Sequence, residues 1–134
     1  MNYLLDTNIL SSIMTDRAAP AALRLHAVGE SGSHEILTSI IVVRELRFGI
    51  EKKGSDRLRQ RLEEALSKVS ILPFASDADA HYSHIRADLE RRGTLIGPND
   101  LLIAAHALAL DTVLVTDNVG EFARVKGLRV ENWL

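Results

Sequence analysis

Three carboxylates stand where a parallel sheet would present them to a ligand. Asp6 directly follows the apolar run 2–5, which is a candidate strand. Asp117 directly follows a second apolar run, residues 112–116. Asp100 falls in the first turn of a predicted helix, where the positive end of the helix dipole favours an anion. Because ligands bind outside the carboxyl ends of parallel strands, these acids are candidates for one shared site.

Glu45 is a fourth acid in an unusual setting. It lies on a predicted helix, and the residues one turn away from it include Ile41, Val42 and Phe48. A carboxylate on an apolar helix face is costly unless a cation pairs with it or a metal ion binds it. Glu45 therefore joins the candidate site, and a salt bridge to a buried arginine stays open as the alternative.

A cluster of four acids predicts a divalent cation. Like charges raise one another's pKa, so the carboxylates stay ionised together only if a cation lies among them. The chain has no cysteine, and hard oxygen ligands of this kind suit Mg²⁺ or Mn²⁺. One or two such ions can neutralise a phosphate oxygen and activate water for attack. The chemistry predicted from these residues is metal-assisted hydrolysis of a phosphodiester.

Each acid also has an ordinary structural explanation, which the sequence leaves open. Asp6 can cap the first helix, and Asp117 can cap the short helix that follows it. Asp100 can simply complement a helix dipole. These explanations account less well for the fact that all four acids coincide with a strand end, a helix start or an apolar face.

The elements that position these acids alternate between short strands and helices. The predicted strands cover residues 2–5, 35–38, 71–74, 112–116 and 129–131. The predicted helices cover residues 7–14, 21–28, 40–52, 56–69, 76–92, 99–110 and 119–124. Ser55 is expected to cap one of these helices, and Ser76 with Asp79 matches a capping box. The alternation predicts an α/β fold with a mainly parallel sheet, formed by one domain over residues 1–134.

Composition excludes several classes of protein. Hydrophobic residues make up 46% of the chain and charged residues 25%, which is ordinary globular usage. No apolar stretch reaches the roughly 20 residues of a membrane span, and no basic region precedes the first apolar residues. We therefore expect a cytoplasmic protein with no membrane partner. The net charge of −2 means that any nucleic acid must bind through a local basic patch or a metal ion.

Four segments carry a resemblance to a known family. LLDTNIL, VVRELRFG, GPNDLLIAAHALA and LVTDN, in this order and spacing, resemble the PIN-domain ribonucleases and more narrowly the VapC toxins of bacterial type II toxin–antitoxin systems. The resemblance extends to the closing GLRVENW. It implies a three-layer α/β/α fold around a sheet of about five short strands. It also implies a Mg²⁺- or Mn²⁺-dependent endoribonuclease that inhibits translation by cleaving structured RNA, with tRNA the expected target.

The resemblance also implies residue roles and partners. It assigns catalysis and metal binding to the acidic quartet, Asp6, Glu45, Asp100 and Asp117. Relatives often carry asparagine at the position that matches Asp117. Polar neighbours that orient these acids match four further positions, Thr7, Asn8, Thr116 and Asn118. The implied partners are a cognate VapB-like antitoxin, the RNA substrate and a second copy of the chain, in a homodimer or a higher toxin–antitoxin assembly.

Arginines are the candidates for RNA contact. Arg44 and Arg47 share a predicted helix with Glu45, and Arg86 lies on the fifth predicted helix. A basic rim is predicted from Arg86 together with Arg91, Arg92, Arg124 and Lys126, although a solvated surface explains such charges equally simply. With three Phe, two Tyr and one Trp, the chain has little material for an extended stacking platform. Recognition is therefore expected to depend on RNA shape and phosphate positions.

Other functions stay open at this point. A DNA-directed nuclease of the same broader fold is one, although such enzymes carry more acids and extra binding segments. A binding module in which the acids hold a structural ion is another. His81 and His84 are spaced as neighbours on a helix, but no third strong zinc ligand accompanies them. His106 lies within an apolar helix and is expected to be a core histidine.

Overall fold

Five short strands form one sheet in the computed structural model, which describes every residue of Met1–Leu134. The strands are β1 (Tyr3–Leu5), β2 (Ile36–Ser39), β3 (Ser70–Leu72), β4 (Val113–Val115) and β5 (Arg129–Glu131). The helices are α1 (Thr7–Thr15), α2 (Pro20–Ser31), α3 (Ile40–Lys53), α4 (Asp56–Leu66), α5 (Ser76–Arg91), α6 (Pro98–Ala109) and α7 (Val119–Phe122). None of these helices combines the length and the apolar character that a bilayer crossing requires.

The strand order creates a crevice beside the central strand. All pairings are parallel and the order is β3-β2-β1-β4-β5. The chain runs outward from β1 to β3, then returns to place β4 on the other side of β1. Connections between parallel strands are right-handed. Because the chain extends the sheet from β1 first toward β3 and then toward β5, these connections place helices on both faces of the sheet. The reversal between β1 and β4 is the switch point where an open α/β sheet binds its ligand.

Burial explains why the two strands at the switch point are uninterrupted apolar runs. Leu4 and Leu5 of β1 and Leu114 of β4 are fully inaccessible to solvent. A central parallel strand is covered on both faces, so it has no polar alternation. The outer strand β3, by contrast, exposes Ser70 and Ile71. The α/β class and the parallel sheet predicted from the sequence are therefore confirmed.

Local side-chain signals mark the start of four helices. Asp6 caps α1 by accepting a hydrogen bond from the Thr7 amide, and Ser55 caps α4. Pro20 and Pro98 stand at the first positions of α2 and α6, where the missing N–H costs nothing. These four side chains set where each helix leaves the sheet.

Three helix ends differ from the expected capping. Ser76 is the first residue of α5 and not its N-cap, because Ala75 holds the cap position and no side chain bonds there. The alternative role of Asp117 as a cap of α7 is excluded, because the cap position belongs to Asn118. Helix α2 was expected to end at residue 28, with Gly29 and Gly32 following, but it continues to Ser31, and Gly32 at φ 66° provides the left-handed C-cap.

Candidate active site at the switch point

Asp6 occupies the floor of the crevice. It is only 6% exposed, and both of its oxygens are engaged. Oδ1 accepts from the Thr7 amide at 2.7 Å, and Oδ2 accepts from the Thr116 hydroxyl at 2.7 Å. The register that pairs Leu5 with Val115 places Thr116 beside Asp6. The two strands at the switch point therefore fix one carboxylate between them.

The electrostatics around Asp6 show an excess of negative charge. Burial raises the pKa of Asp6, and the hydrogen bonds from Thr116 and Thr7 only partly oppose this effect. The charges of Asp117 and Glu121 raise the pKa of Asp6 further. A site that holds its acids against this repulsion is suited to binding a cation.

Asp100 meets an acid that the sequence analysis did not select, Glu121 of α7. The carboxyl groups of Asp100 and Glu121 lie close enough for each to shift the pKa of the other. Burial, followed by the charge of Glu121, raises the pKa of Asp100 to about 7, and the charge of Asp6 adds to this. Asp100 is therefore the acid of the pair that keeps its proton to the higher pH. Three carboxyl groups, those of Asp6, Asp100 and Glu121, are close enough to influence one another.

Backbone and side-chain donors hold Glu121 in place. The Gly97 amide at the start of α6 donates to its Oε1 at 2.9 Å, and the Asn118 side-chain amide donates to its Oε2. The Gly97 bond is the main reason that the pKa of Glu121 is lowered. The Asn118 backbone N–H donates in turn to the Thr116 hydroxyl at 3.1 Å. This network joins the end of β4 to α7 and to the N-terminus of α6.

Asp117 lies at the mouth of the site. It is exposed to solvent, and its Oδ1 accepts from the side-chain amide of Asn8 at 3.0 Å. Asn8 stands in the first turn of α1, so this bond ties the loop after β4 to the helix after β1. Of the four positions expected to orient the acids, the side chains of Thr116, Asn8 and Asn118 bond to Asp6, Asp117 and Glu121, respectively, whereas Thr7 contributes its backbone amide to Asp6. Their roles in catalysis stay predictions.

Glu45 is not brought into contact with the other acids. Its nearest charged partner is the neighbouring Arg44, whose Nη2 lies 3.6 Å from Glu45 Oε1. Arg44 also donates to Asn99 Oδ1 at 3.0 Å, so it stands between Glu45 and the helix that carries Asp100. Of the apolar residues one turn away, Ile41 and Val42 are buried and Phe48 is 65% exposed, so Glu45 lies at the edge of the buried face of α3. The catalytic role of Glu45 stays a prediction.

The other arginines predicted to contact RNA are engaged locally. Arg47 pairs with Glu63 at 2.7 Å. Arg86 pairs with Glu90 at 3.1 Å and donates to the Tyr82 hydroxyl at 2.8 Å. The side chains of both ion pairs are exposed. The roles of Arg47 and Arg86 in RNA binding stay predictions.

Glu121 carried a signal that the sequence analysis passed over. It follows Asp117 by four residues, and the segment between them was predicted to become helical. Residues four apart on a helix share a face, so one acid at the strand end implied a second acid pointing the same way. The sequence alone did not show that the backbone amide of Gly97, which lies 24 residues earlier, donates a hydrogen bond to the Glu121 side chain.

The donor set fits a hydrated divalent ion better than a closed cage. No group of three or more histidine or acidic side chains is arranged to hold a metal ion as the side chains stand. His81 and His84, which are exposed on α5, belong to no such group either. Mg²⁺ typically keeps several waters and takes one or two carboxylates. The close pair of Asp100 and Glu121, with Asp6 adjacent, offers carboxylates whose mutual repulsion such an ion would relieve.

Comparisons with known proteins agree with this geometry. Residues 3–128 match the family model of the PIN domain. Ribonuclease VapC2 of Rickettsia felis is 37% identical over 134 residues, which cover 99% of this chain and 98% of that protein. The tRNA(fMet)-specific endonuclease VapC of Shigella flexneri is 36% identical over 134 residues, with the same coverage of 99% and 98%.

A solved structure extends the similarity to the whole fold. The crystal structure of VapBC2 from Rickettsia felis, bound to a DNA fragment from their promoter, contains a chain that superposes with a TM-score of 0.93. That chain is 36% identical, and the match covers 100% of both chains. The three-layer fold expected from the resemblance is thus confirmed. The chain belongs to the PIN-domain family and, within it, to the VapC ribonucleases.

Proposed function

We propose that this protein is the toxin of a type II toxin–antitoxin system, an endoribonuclease that depends on Mg²⁺ or Mn²⁺. The observation that carries the proposal is the convergence of Asp6, Asp100 and Glu121 at the switch point of the sheet. Their perturbed pKa values mark a concentration of negative charge that a divalent cation would relieve. Membership of the VapC ribonucleases supports RNA as the substrate.

In this proposal the acids divide into an inner and an outer set. Asp100, Glu121 and Asp6 hold one or two metal ions at the centre. Asp117 stands at the mouth of the site, beside Asn8, and Glu45 stands beyond Arg44. Asp117 and Glu45 move closer to the inner acids when a metal ion and substrate bind. The predicted quartet is then complete.

The bound ion supplies a Lewis acid that neutralises a phosphate oxygen and lowers the pKa of water. The chain supplies positioning. Thr116 and the Thr7 amide hold the Asp6 carboxylate in one orientation. Gly97 and Asn118 do the same for Glu121. Because these groups are already bonded, they need little reorganisation during the reaction.

The relatives narrow the expected substrate and partner. The Shigella flexneri relative is named as an endonuclease specific for tRNA(fMet), and structured RNA of the tRNA class is therefore the proposed target. The similar Rickettsia felis chain was solved in a VapBC complex. A cognate VapB-like antitoxin is accordingly the proposed partner. A tRNA target would place the activity in the cytoplasm.

Cleavage assays with purified, antitoxin-free protein test the proposal. Matched tRNA and DNA substrates are incubated with Mg²⁺, with Mn²⁺ or with EDTA, and product ends are mapped. Attack by water leaves a 5′-phosphate and a 3′-hydroxyl, whereas attack by the ribose 2′-hydroxyl leaves a cyclic phosphate. We expect RNA cleavage with either metal, none with EDTA, and 5′-phosphate ends.

Two results would favour the alternative functions. Preferential cleavage of the DNA substrate would identify a DNA-directed nuclease. No cleavage of any structured RNA with either metal, together with metal binding, would favour a module with a structural ion. A cyclic phosphate end would contradict water as the attacking group.

A further inference from the structure

Three basic side chains form a connected surface beside the acid cluster. Arg92 follows the last turn of α5, Arg124 follows α7, and Lys126 lies two residues further on. We call these three residues the basic flank. All three are exposed, with the Arg92 side chain 34% accessible and the Lys126 side chain 77% accessible.

Hydrogen bonds hold the basic flank together. Arg92 Nη2 donates to the Arg124 carbonyl oxygen at 2.6 Å and to Asp88 Oδ2 at 2.7 Å. Lys126 Nζ lies 3.9 Å from the other oxygen of Asp88. Asp88 is the one carboxylate that pairs with the flank, and it faces two of the three cations. More positive than negative charge therefore remains on this surface.

The basic flank borders the site through Arg124. Its guanidinium Nη1 donates to the Leu95 carbonyl oxygen at 3.4 Å, on the segment that leads into Gly97 and α6. Arg124 also follows Glu121 by three residues, and its positive charge acts on the Glu121 carboxylate. Arg124 therefore lies next to the segment that leads into α6 and directly after α7, the two elements that carry Asp100 and Glu121.

The acid cluster cannot attract a polyanion by itself, and the chain as a whole carries a net charge of −2. A substrate backbone must find local positive charge next to the acids. The largest cleft of the molecule does not serve this purpose, because it lies at the opposite edge of the sheet. Its lining includes Glu35 and Ser70, which stand where β2 and β3 begin, together with Lys68.

We propose that the basic flank binds backbone phosphates of the RNA strand on the α6–α7 side of the acid cluster. The inference rests on the proposed function only in taking RNA as the substrate and the acid cluster as the place of cleavage. Arg124 contacts the phosphate nearest to the cluster, and Arg92 and Lys126 contact phosphates further along. These contacts position the strand without reading its bases, so they act on every RNA sequence alike.

The test is equilibrium binding of a fluorescently labelled tRNA to the Asp100→Asn protein, at constant Mg²⁺ and increasing KCl. The substitutions Arg124→Gln and Lys126→Gln are added singly and together, and Lys68→Gln is the matched control at the opposite edge. Each lost phosphate contact should lower the slope of log Kd against log salt by about 0.7–0.9. We expect a five- to tenfold weaker Kd for each flank variant and no change for the control.

Equal Kd values and slopes for the flank variants and Lys68→Gln would overturn the inference. So would flank variants that weaken binding of a VapB-like antitoxin but not of tRNA. Lys126→Gln removes only a 3.9 Å contact, so it remains informative if Arg124→Gln unfolds the protein. Cleavage by the otherwise unchanged protein is measured separately. Absence of cleavage would count against the proposed function, whereas the binding slopes alone decide the role of the flank.

Discussion

Asp100 and Glu121 lie side by side at the start of α6, and each shifts the pKa of the other. Neither acid occupies the N-cap position of its own helix, which belongs to Gly97 in α6 and to Asn118 in α7. Instead, Glu121 accepts the Gly97 amide at the beginning of α6, and Asp100 stands in the first turn of that helix. The carboxylates of Asp100 and Glu121 therefore repel each other where α6 and α7 meet. A bound divalent cation is the simplest group that would relieve it.

The raised pKa of Asp100 should make stability depend on pH when metal is absent. The pKa of Asp100 is about 7 in the folded protein, against an ordinary value of 3.8. The unfolded chain therefore releases a proton that the folded protein keeps, and stability falls as pH rises from about 4 to about 7. Asp100→Asn removes this pH-dependent loss of stability. Since the carboxyl is half-exposed and screened, we expect it to stabilise the protein by about 1–2 kcal/mol at pH 8 in EDTA.

Denaturant unfolding at pH 8 and pH 5 measures this effect. Asp77 is the matched control, because it is an exposed acid in the first turn of α5. Asp77→Asn should change the unfolding free energy by the same amount at both pH values. An Asp100→Asn protein that is no more stable than the parent at pH 8 would contradict the raised pKa of Asp100.

The two acids that follow β4 should differ in their importance for catalysis. Glu121→Gln removes a carboxylate next to Asp100, and we expect kcat/KM for RNA cleavage to fall about 100-fold. Asp117→Asn keeps an oxygen that can accept from Asn8, so we expect a loss of less than about tenfold. Raising the Mg²⁺ concentration should recover part of the Glu121→Gln loss. If Asp117→Asn were the more damaging change, the division into inner and outer acids would be wrong.

The hydrogen bond from Thr116 to Asp6 should stabilise the folded protein in a pH-dependent way. It lowers the pKa of Asp6, so it stabilises the ionised form and matters most at high pH. Thr116→Val should cost about 1–3 kcal/mol at pH 8 and less at pH 4. Thr38→Val is the control, because the buried Thr38 hydroxyl donates to the uncharged carbonyl of Leu5 at 2.9 Å. Equal pH dependence in the two variants would show that Asp6 is not the group involved.

Buried His106 should limit stability on the acid side. It hydrogen-bonds through Nδ1 to the Ser39 hydroxyl at 2.7 Å, and burial lowers its pKa below the ordinary value of 6.5. The unfolded chain takes up a proton that the folded protein resists, so this contribution to stability is lost as pH falls below about 6.5. His106→Leu should cost about 1 kcal/mol at pH 7.5, because the Ser39 hydroxyl loses this bond and keeps only the one from the Ile41 amide.

The difference in unfolding free energy between His106→Leu and the parent should shrink or reverse at pH 5.5. The titration of Asp100 is common to both proteins and cancels from the difference. His84→Leu, at an exposed position on α5, is expected to leave the pH profile unchanged. A constant difference between pH 7.5 and pH 5.5 would mean that His106 does not resist protonation in the folded protein.

The sheet could be predicted because its signals are local. Apolar runs of the right length mark the strands, and Asp6, Ser55, Pro20 and Pro98 mark helix starts through the backbone groups next to them. The exact ends were less predictable, since they depend on single backbone groups. Pro73, which has no N–H, follows the last residue of β3, whereas the prediction had extended that strand to residue 74.

The site was harder to predict because its acids meet through long-range contacts. Strand ends indicated Asp6 and Asp117, and the parallel pairing of β1 with β4 does bring their loops together. Helix periodicity correctly indicated that Ile41 and Val42 beside Glu45 are buried, but it could not show that Phe48 is exposed or that Arg44 pairs with Glu45. Glu121 was missed because its partner Gly97 is distant in sequence.

The most direct test of the central claim is tRNA cleavage by two purified proteins that differ only at Asp100. The parent chain should cleave tRNA with Mg²⁺ or Mn²⁺ and leave 5′-phosphate ends. Asp100→Asn should fold and bind tRNA but cut at least about 100-fold more slowly, because it lacks a carboxylate for the metal ion. Undiminished cleavage by Asp100→Asn, or cleavage by the parent chain in excess EDTA, would contradict the account.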